Sequence, residues 1–207
     1  MARTTTPEAW SRLNLAFSQV GRDLFISGAV TTHGGNLSMT DGERIWISRT
    51  NSMLGRMSPD DIIETSFSPH EGSDREASRE LVVHRAMYEA YARAGGDLSA
   101  GAAIVHAHSK HSIARSLCGG SRIMCEDSEG DYTLGDGVPV VTSATSVASA
   151  EAGEKIAEHI ARGERIVMLH GHGPFALGTT LVDALRLVSV LEASCQIDLL
   201  RRLMERS

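Results

Sequence analysis

Ala102-Ala103-Ile104-Val105-His106-Ala107-His108-Ser109-Lys110-His111 is the stretch from which both fold and chemistry can be read. A short apolar run, the pattern of a buried strand, ends in two histidines one residue apart. Side chains of a β-strand alternate faces, so His106 and His108 point the same way, with Cα atoms about 6.5–7 Å apart. Two imidazoles leaning together from that spacing can share one metal ion at about 2.0–2.1 Å each, if a third ligand comes from elsewhere. The same pattern occurs in half-buried strands whose rings bond to ordinary neighbours. The pair alone leaves both readings open.

Working outward, the next segment, 109–117, reads as a short helix, which takes His111 out of the ligand set. A second His-x-His, His170-Gly171-His172, follows another buried apolar run at 166–169. Upstream, 78–94 reads as a helix capped by Ser78 and stopped by Gly95-Gly96. Glu80, His84, Met87 and Tyr91 share one of its faces. Glu80 in the first turn gains from the helix dipole and reads equally as an ordinary helix-start carboxylate.

The remaining chain supplies alternating strands and helices. Thr6-Pro7-Glu8 starts a helix whose buried face is Leu13, Phe17, Val20 and Leu24, with Gly21 expected to end or loosen it. Asp41-Gly42 between the β-prone runs 37–40 and 44–48 marks a hairpin. Gly34-Gly35-Asn36 before it is a permissive loop that can present N–H groups to a phosphate or serve as a plain turn. Residues 48–55 read as a loop, 62–65 as a strand and 68–77 as an exposed loop. Residues 122–133 read as an acidic loop. Pro139 marks 138–141 as an edge strand, since proline cannot donate to a ladder. A helix is expected over 150–162. A long last helix, capped by Thr179 or Thr180, presents Leu181, Leu185, Val188, Leu191, Cys195 and Leu199 on one face, with Arg201, Arg202 and Arg206 at its negative end.

Composition narrows the function. The chain has 207 residues, 42% hydrophobic and 22% charged, which suits one domain over 1–207 with a sizeable core. The net charge of −6 and the lack of a basic block argue against a nucleic-acid or anionic-membrane partner. Cys118, Cys125 and Cys195 form no CxxC pair, fitting a reducing compartment. No apolar run spans a bilayer and residues 1–8 lack a signal-peptide core, so a cytoplasmic protein is expected.

Taken in order, Gly35-Asn36-Leu37-Ser38, Ile47-Ser48-Arg49-Thr50, Ser78-Arg79-Glu80, Val105-His106-Ala107-His108 and His170-Gly171-His172-Gly173 resemble the motifs of the class II aldolase and pentulose-phosphate epimerase superfamily, over about residues 10–200. The resemblance implies an α/β fold of three αβα layers around a central, mainly antiparallel sheet, and a homotetramer with sites between subunits. It implies that His106, His108 and His172 bind one divalent metal. Zinc is the default for imidazoles, with manganese, cobalt or iron as alternatives. It implies that Glu80 is the acid/base group, and that Gly35, Asn36, Thr50 and Ser78 hold the phosphate of a small sugar-phosphate substrate. The implied reaction is cleavage of a ketose 1-phosphate, of the fuculose or the 5-deoxy- or 5-alkylthio-pentulose type, to dihydroxyacetone phosphate and an aldehyde. Alternatives are a pentulose-5-phosphate 4-epimerase, a methylthioribulose-phosphate dehydratase and a non-catalytic assembly domain like the adducin head. The only lysines are Lys110 and Lys155, neither marked as buried, which speaks against Schiff-base chemistry. Three departures stand out: Arg79 replaces a serine, Asn51 stands where glycine is common, and Glu126 and Asp127 fall about where the aldolases carry a catalytic tyrosine. An acid there matches the epimerase branch, and Tyr132 lies near enough in sequence to substitute.

Overall fold

The structure, a computed structural model, describes residues 6–206. Its chain order is α1 (Pro7–Ile26), β1 (Asn36–Thr40), β2 (Arg44–Ser48), β3 (Ile62–Ser66), α2 (Glu71–Glu76), α3 (Leu81–Arg93), β4 (Ala102–His106), α4 (Lys110–Leu117), β5 (Arg122–Ile123), α5 (Ser128–Leu134), β6 (Val138–Val141), α6 (Ala150–Ala161), β7 (Ile166–Leu169), β8 (Gly173–Gly178) and α7 (Leu181–Met204). The strands form one eight-stranded sheet in the order β3-β2-β1-β4-β8-β7-β6-β5. Every adjacent pair is antiparallel except β6 and β7.

Period-2 alternation divides the core between the two faces of this sheet. Leu37, Ala103, Val105, Met168 and Ala176 pack with Phe17 and Leu24 of α1 and Leu187 and Leu191 of α7. Ile45, Ile47, Ile104, Val167, Leu169, Phe175 and Leu177 pack with Met87 and Tyr88 of α3 and Ile156 of α6. Helices therefore cover both faces, and β4, whose five residues are all buried, lies near the middle.

Local signals explain most boundaries. The Thr6 hydroxyl accepts from the Ala9 amide at 3.2 Å and Pro7 opens α1. Gly21 does not end this helix, which continues to Ile26. A Cβ at Gly21 would stand 2.3 Å from the Leu54 carbonyl oxygen, so glycine is there for close packing and not for a stop. Thr180 caps α7 through the Asp183 amide at 3.1 Å. That helix overshoots the core, leaving Leu199, Leu200, Leu203 and Met204 exposed.

Other expectations are corrected. Residues 138–141 are not an edge strand, because β5 pairs outside them and Pro139 lies opposite Arg122. Pro139 stands one residue before the parallel ladder with β7 begins at Val140, so its missing donor interrupts nothing. The acidic stretch contains β5 and α5, the latter capped by the Asp127 carboxylate on the Gly130 amide at 3.0 Å. Residues 71–76 form a helix and not an open loop. Arg85 of α3 binds both oxygens of Asp74 at 2.8 Å each, and Asp74 also accepts from Thr65 Oγ1 at 2.8 Å. The bond to Arg85 leads the causes that hold the Asp74 carboxyl down to about 2, against partial burial. This clamp leads the chain into Ala77, which bridges Arg49, and so fixes the approach to Ser78 and Glu80.

The Asp74→Asn variant is expected to lose about 1–3 kcal/mol of stability at pH 7, because one partner of a bidentate, mostly buried pair is gone. Asp74 has a depressed pKa, so its contribution is present above the unfolded value of 3.8 and is lost as pH falls through about 2. Urea unfolding of both proteins between pH 7 and pH 2 checks this: the gap should narrow below about pH 4 and close near pH 2.

Candidate metal centre

Strand β4 ends at His106, and the register of the sheet sets what surrounds it: Asn36 of β1 lies opposite on one side and Phe175 of β8 on the other. The His106 ring stacks on Phe175 at 3.8 Å and 10°. Its Nδ1–H donates to the Pro174 carbonyl at 3.0 Å, which leaves the Nε2 lone pair bare. His108 lies just past the strand end, and its Nε2 comes within 3.1 Å of His106 Nε2. His172, in the turn between β7 and β8, brings its Nε2 within 3.1 Å of His106 Nε2 from the opposite side. Four-coordinate metal–imidazole geometry puts ligand nitrogens about 3.3 Å apart, so the three rings are spaced for one ion. Burial lowers the affinity of all three for protons, His108 to about 4. Neutral imidazoles with converging lone pairs are what a divalent cation requires.

Glu80 sits beside this triad, buried, with Oε1 3.8 Å from His172 Nε2. The structure starts α3 at Leu81 with Glu80 itself as the flanking residue, and not at Ser78. Oε1 accepts the Ala148 amide at 3.2 Å, while Oε2 has no hydrogen-bond partner among the described residues. Burial raises the Glu80 pKa, opposed by the Ala148 amide and the Arg79 charge. Ala148 was not legible in the sequence. It holds φ at +52°, a left-handed conformation costly for alanine, and in that conformation its N–H reaches Glu80. The uncommitted oxygen and the three bare nitrogens together fit a resident cation.

The same cleft receives all four residues expected to hold a phosphate: Gly35, Asn36, Thr50 and Ser78. Gly35 has φ +78°, and a Cβ there would stand 2.7 Å from the His106 carbonyl oxygen, so the loop is pressed against the metal strand. Asn51 has φ +59°, which explains asparagine at a position where glycine is common. The Ser78 hydroxyl accepts the Glu80 amide at 3.3 Å and keeps its own proton for a ligand. Arg79 and Val147 also line this cleft, and sequence reading gave neither a role in it. Arg79 makes no ion pair with the described residues, whereas Arg49, on the same wall, is committed to Glu76 and to the Asp60 carbonyl.

Other candidates lie elsewhere. His170 is absent from the triad. His111 pairs with Glu192 at 2.8 Å, which keeps it out of the ligand set as expected. Glu126 and Asp127 line a separate depression with Arg201, and Glu126 lies 3.4 Å from that guanidinium. Tyr132 is 87% exposed. None of the three reaches the cleft within one chain.

Residues 16–199 match the family model described as class II aldolase and adducin N-terminal domain. The chain is 30% identical over 192 residues to the L-fuculose phosphate aldolase of Methanocaldococcus jannaschii, covering 92% of this chain and 97% of that one. It is 28% identical over 183 residues to the methylthioribulose-1-phosphate dehydratase of Methylococcus capsulatus, covering 84% and 86%. The crystal structure of L-fuculose-1-phosphate aldolase from Thermus thermophilus superposes with a TM-score of 0.83 at 36% identity, over 95% of this chain and 97% of that one.

Elemental analysis of the purified protein is expected to find about one divalent ion per chain. Replacing His106, His108 or His172 by alanine should abolish that content, and His170→Ala should leave it unchanged. Metal retained in His106→Ala would disprove the assignment.

Proposed function

The chain belongs to the class II aldolase and adducin N-terminal domain family, and we propose that within it the protein is a metal-dependent aldolase that reversibly cleaves a short-chain ketose 1-phosphate to dihydroxyacetone phosphate and an aldehyde. The observation that carries this reading is one cleft in which three converging imidazoles, a buried carboxylate and a wall of hydrogen-bond donors that includes Arg79 meet. A divalent cation on His106, His108 and His172, zinc by default and otherwise manganese, cobalt or iron, supplies Lewis acidity at the reacting carbonyl. Glu80 moves the proton. In the aldol direction it takes one from the hydroxymethyl carbon of dihydroxyacetone phosphate while the aldehyde oxygen gains one from water, and in cleavage it returns a proton to that carbon while the hydroxyl of the aldehyde half gives its own to water. Burial raises its pKa and strengthens it as a base, while a cation beside it would favour the ionised form. The Ala148 amide holds Oε1, the oxygen that lies 3.8 Å from His172 Nε2. Gly35, Asn36, Thr50 and Ser78 hold the phosphate, and this remote binding orients the reacting carbons.

Fuculose 1-phosphate and 5-deoxy- or 5-alkylthio-pentulose 1-phosphates are the substrates proposed. Val147, an apolar side chain on the cleft, favours an apolar terminus on the aldehyde half. The same side chain, together with the dehydratase relative, supports loss of water from methylthioribulose phosphate as a second reading. The 4-epimerase reading draws on the acids Glu126 and Asp127, which lie outside the cleft in one chain. The intact triad and Glu80 weigh against a purely structural, adducin-like role. Further parts of the proposal are a cytoplasmic setting, supported by the free cysteines, and a homotetramer with sites between subunits, supported by the exposed apolar end of α7. Among the described residues no helix is long and apolar enough to cross a membrane.

A panel of sugar phosphates assayed with each metal is expected to release dihydroxyacetone phosphate from a ketose 1-phosphate, and a chelator should stop the release. Glu80→Gln should lower kcat by about 10²–10⁴ with metal content unchanged. Full turnover of metal-loaded Glu80→Gln, or an epimer or dehydrated product in place of dihydroxyacetone phosphate, would overturn the reading.

A further inference from the structure

A line of buried polar side chains runs from the cleft into the core and takes no part in the chemistry above. His84 of α3, one turn after Glu80, is fully buried, as is Tyr88 one turn later. His84 Nε2 lies 2.6 Å from Asn36 Oδ1, His84 Nδ1 lies 2.6 Å from Ser38 Oγ, and Ser38 Oγ lies 2.7 Å from the Tyr88 hydroxyl. Each contact is short and none is open to water.

The proton directions in this line follow from its ends. The Ile104 backbone bonds the Tyr88 hydroxyl in the sense that favours the anion, so it donates, and the phenol proton is left for Ser38 Oγ. Ser38 must then send its own proton to His84 Nδ1. A neutral imidazole carries one N–H, which is left on Nε2 and donates to Asn36 Oδ1. Burial keeps His84 neutral, with its pKa pushed down to about 3. The carboxamide of Asn36 is thereby fixed. Its oxygen is committed to His84, and its Nδ2 hydrogens have no protein acceptor among the described residues and are left for the cleft that Asn36 lines.

We propose that His84 is a positioning residue for substrate: through Asn36 it presents a fixed N–H donor to the cleft, which selects ligands that place an anionic, acceptor-only oxygen there. A side-chain amide free to flip would accept a hydroxyl as readily as it donates to a phosphate. The Tyr88–Ser38–His84 line removes that choice. It also moves the hydrogen-bonding cost of ordering Asn36 into the folded protein, so none is left for the binding step. This inference deepens the reading of the cleft as a phosphate site and rests on it.

The test uses the full-length, metal-loaded protein, with inorganic phosphate as a binding probe and the cleaved sugar phosphate as substrate. His84→Phe keeps a ring and removes the donor. It is expected to weaken phosphate binding and raise KM about tenfold, with kcat within about threefold and metal content unchanged. His84→Gln restores a donor at the same reach and should recover most of the loss. Tyr88→Phe, which removes the proton that sets the direction, should shift the same constants by a smaller factor. Introduced into Asn36→Ala, His84→Phe should have no further effect, since its partner is already gone. Unchanged phosphate affinity and KM in folded His84→Phe, or in His84→Gln and Tyr88→Phe should that variant not fold, overturns the inference. So does a full tenfold loss in the Asn36→Ala background. Wild-type protein that binds neither phosphate nor a sugar phosphate overturns the phosphate reading itself, whereas binding that the variants leave untouched overturns only the role of His84.

Discussion

Three imidazole nitrogens converging at 3.1 Å cannot satisfy one another. His106 Nδ1 is spent on Pro174, so its Nε2 offers one lone pair, which cannot serve both His108 and His172. A divalent cation at the centre would draw all three lone pairs, and the surrounding fold is what keeps the rings assembled. The sheet register sets Phe175 beside His106, the ring stack holds the imidazole plane, and the turn between β7 and β8 delivers His172. The sheet's hydrophobic packing on two helical layers supplies the free energy that keeps these groups together against their desolvation.

The second cost is local and backbone-borne. Ala148 and Asn51 are the described non-glycine residues with positive φ, and each belongs to the site. Ala148 turns its amide onto Glu80, and Asn51 shapes the loop that carries Thr50. Strain concentrated at a cleft is tolerated where the surrounding structure over-determines it. Here the determinants are the N-terminus of α6, capped by Ser149, and the bridge between Arg49 and Ala77.

Much of this was legible in the chain, and what was missed shares a cause. The apolar run ending at His106, the two His-x-His pairs and the glutamate near a helix start are local patterns, whereas the sheet with helices on both faces was implied by the family resemblance. Residues 71–76 read as a loop because their order comes from Arg85, distant in sequence, clamping Asp74. Gly21 read as a stop because its purpose, closeness to the Leu54 backbone, is a tertiary contact. Pro139 read as an edge because a two-residue strand such as β5 leaves no periodic signal. His84 was seen on the face of Glu80, but its bonds to Asn36 and Ser38 depend on how β1 packs against α3.

That placement gives α3 a double duty. Glu80 at its start and His84 one turn on lie on one face by helical period alone. The first is set against the triad and the second against the Asn36 amide that lines the cleft. A helix is stiff over one turn, so the spacing between the proton-transfer group and the anion-holding group is fixed by covalent geometry and not by loops. The metal strand β4 pairs with β1, which carries Asn36 and Ser38, so the third reference point is tied to the other two through the sheet ladder. The distance between Asn36 and Glu80 is therefore built into one helix and two neighbouring strands. Loop 144–148, which bears Val147, lies outside that frame and lines the cleft without being part of it.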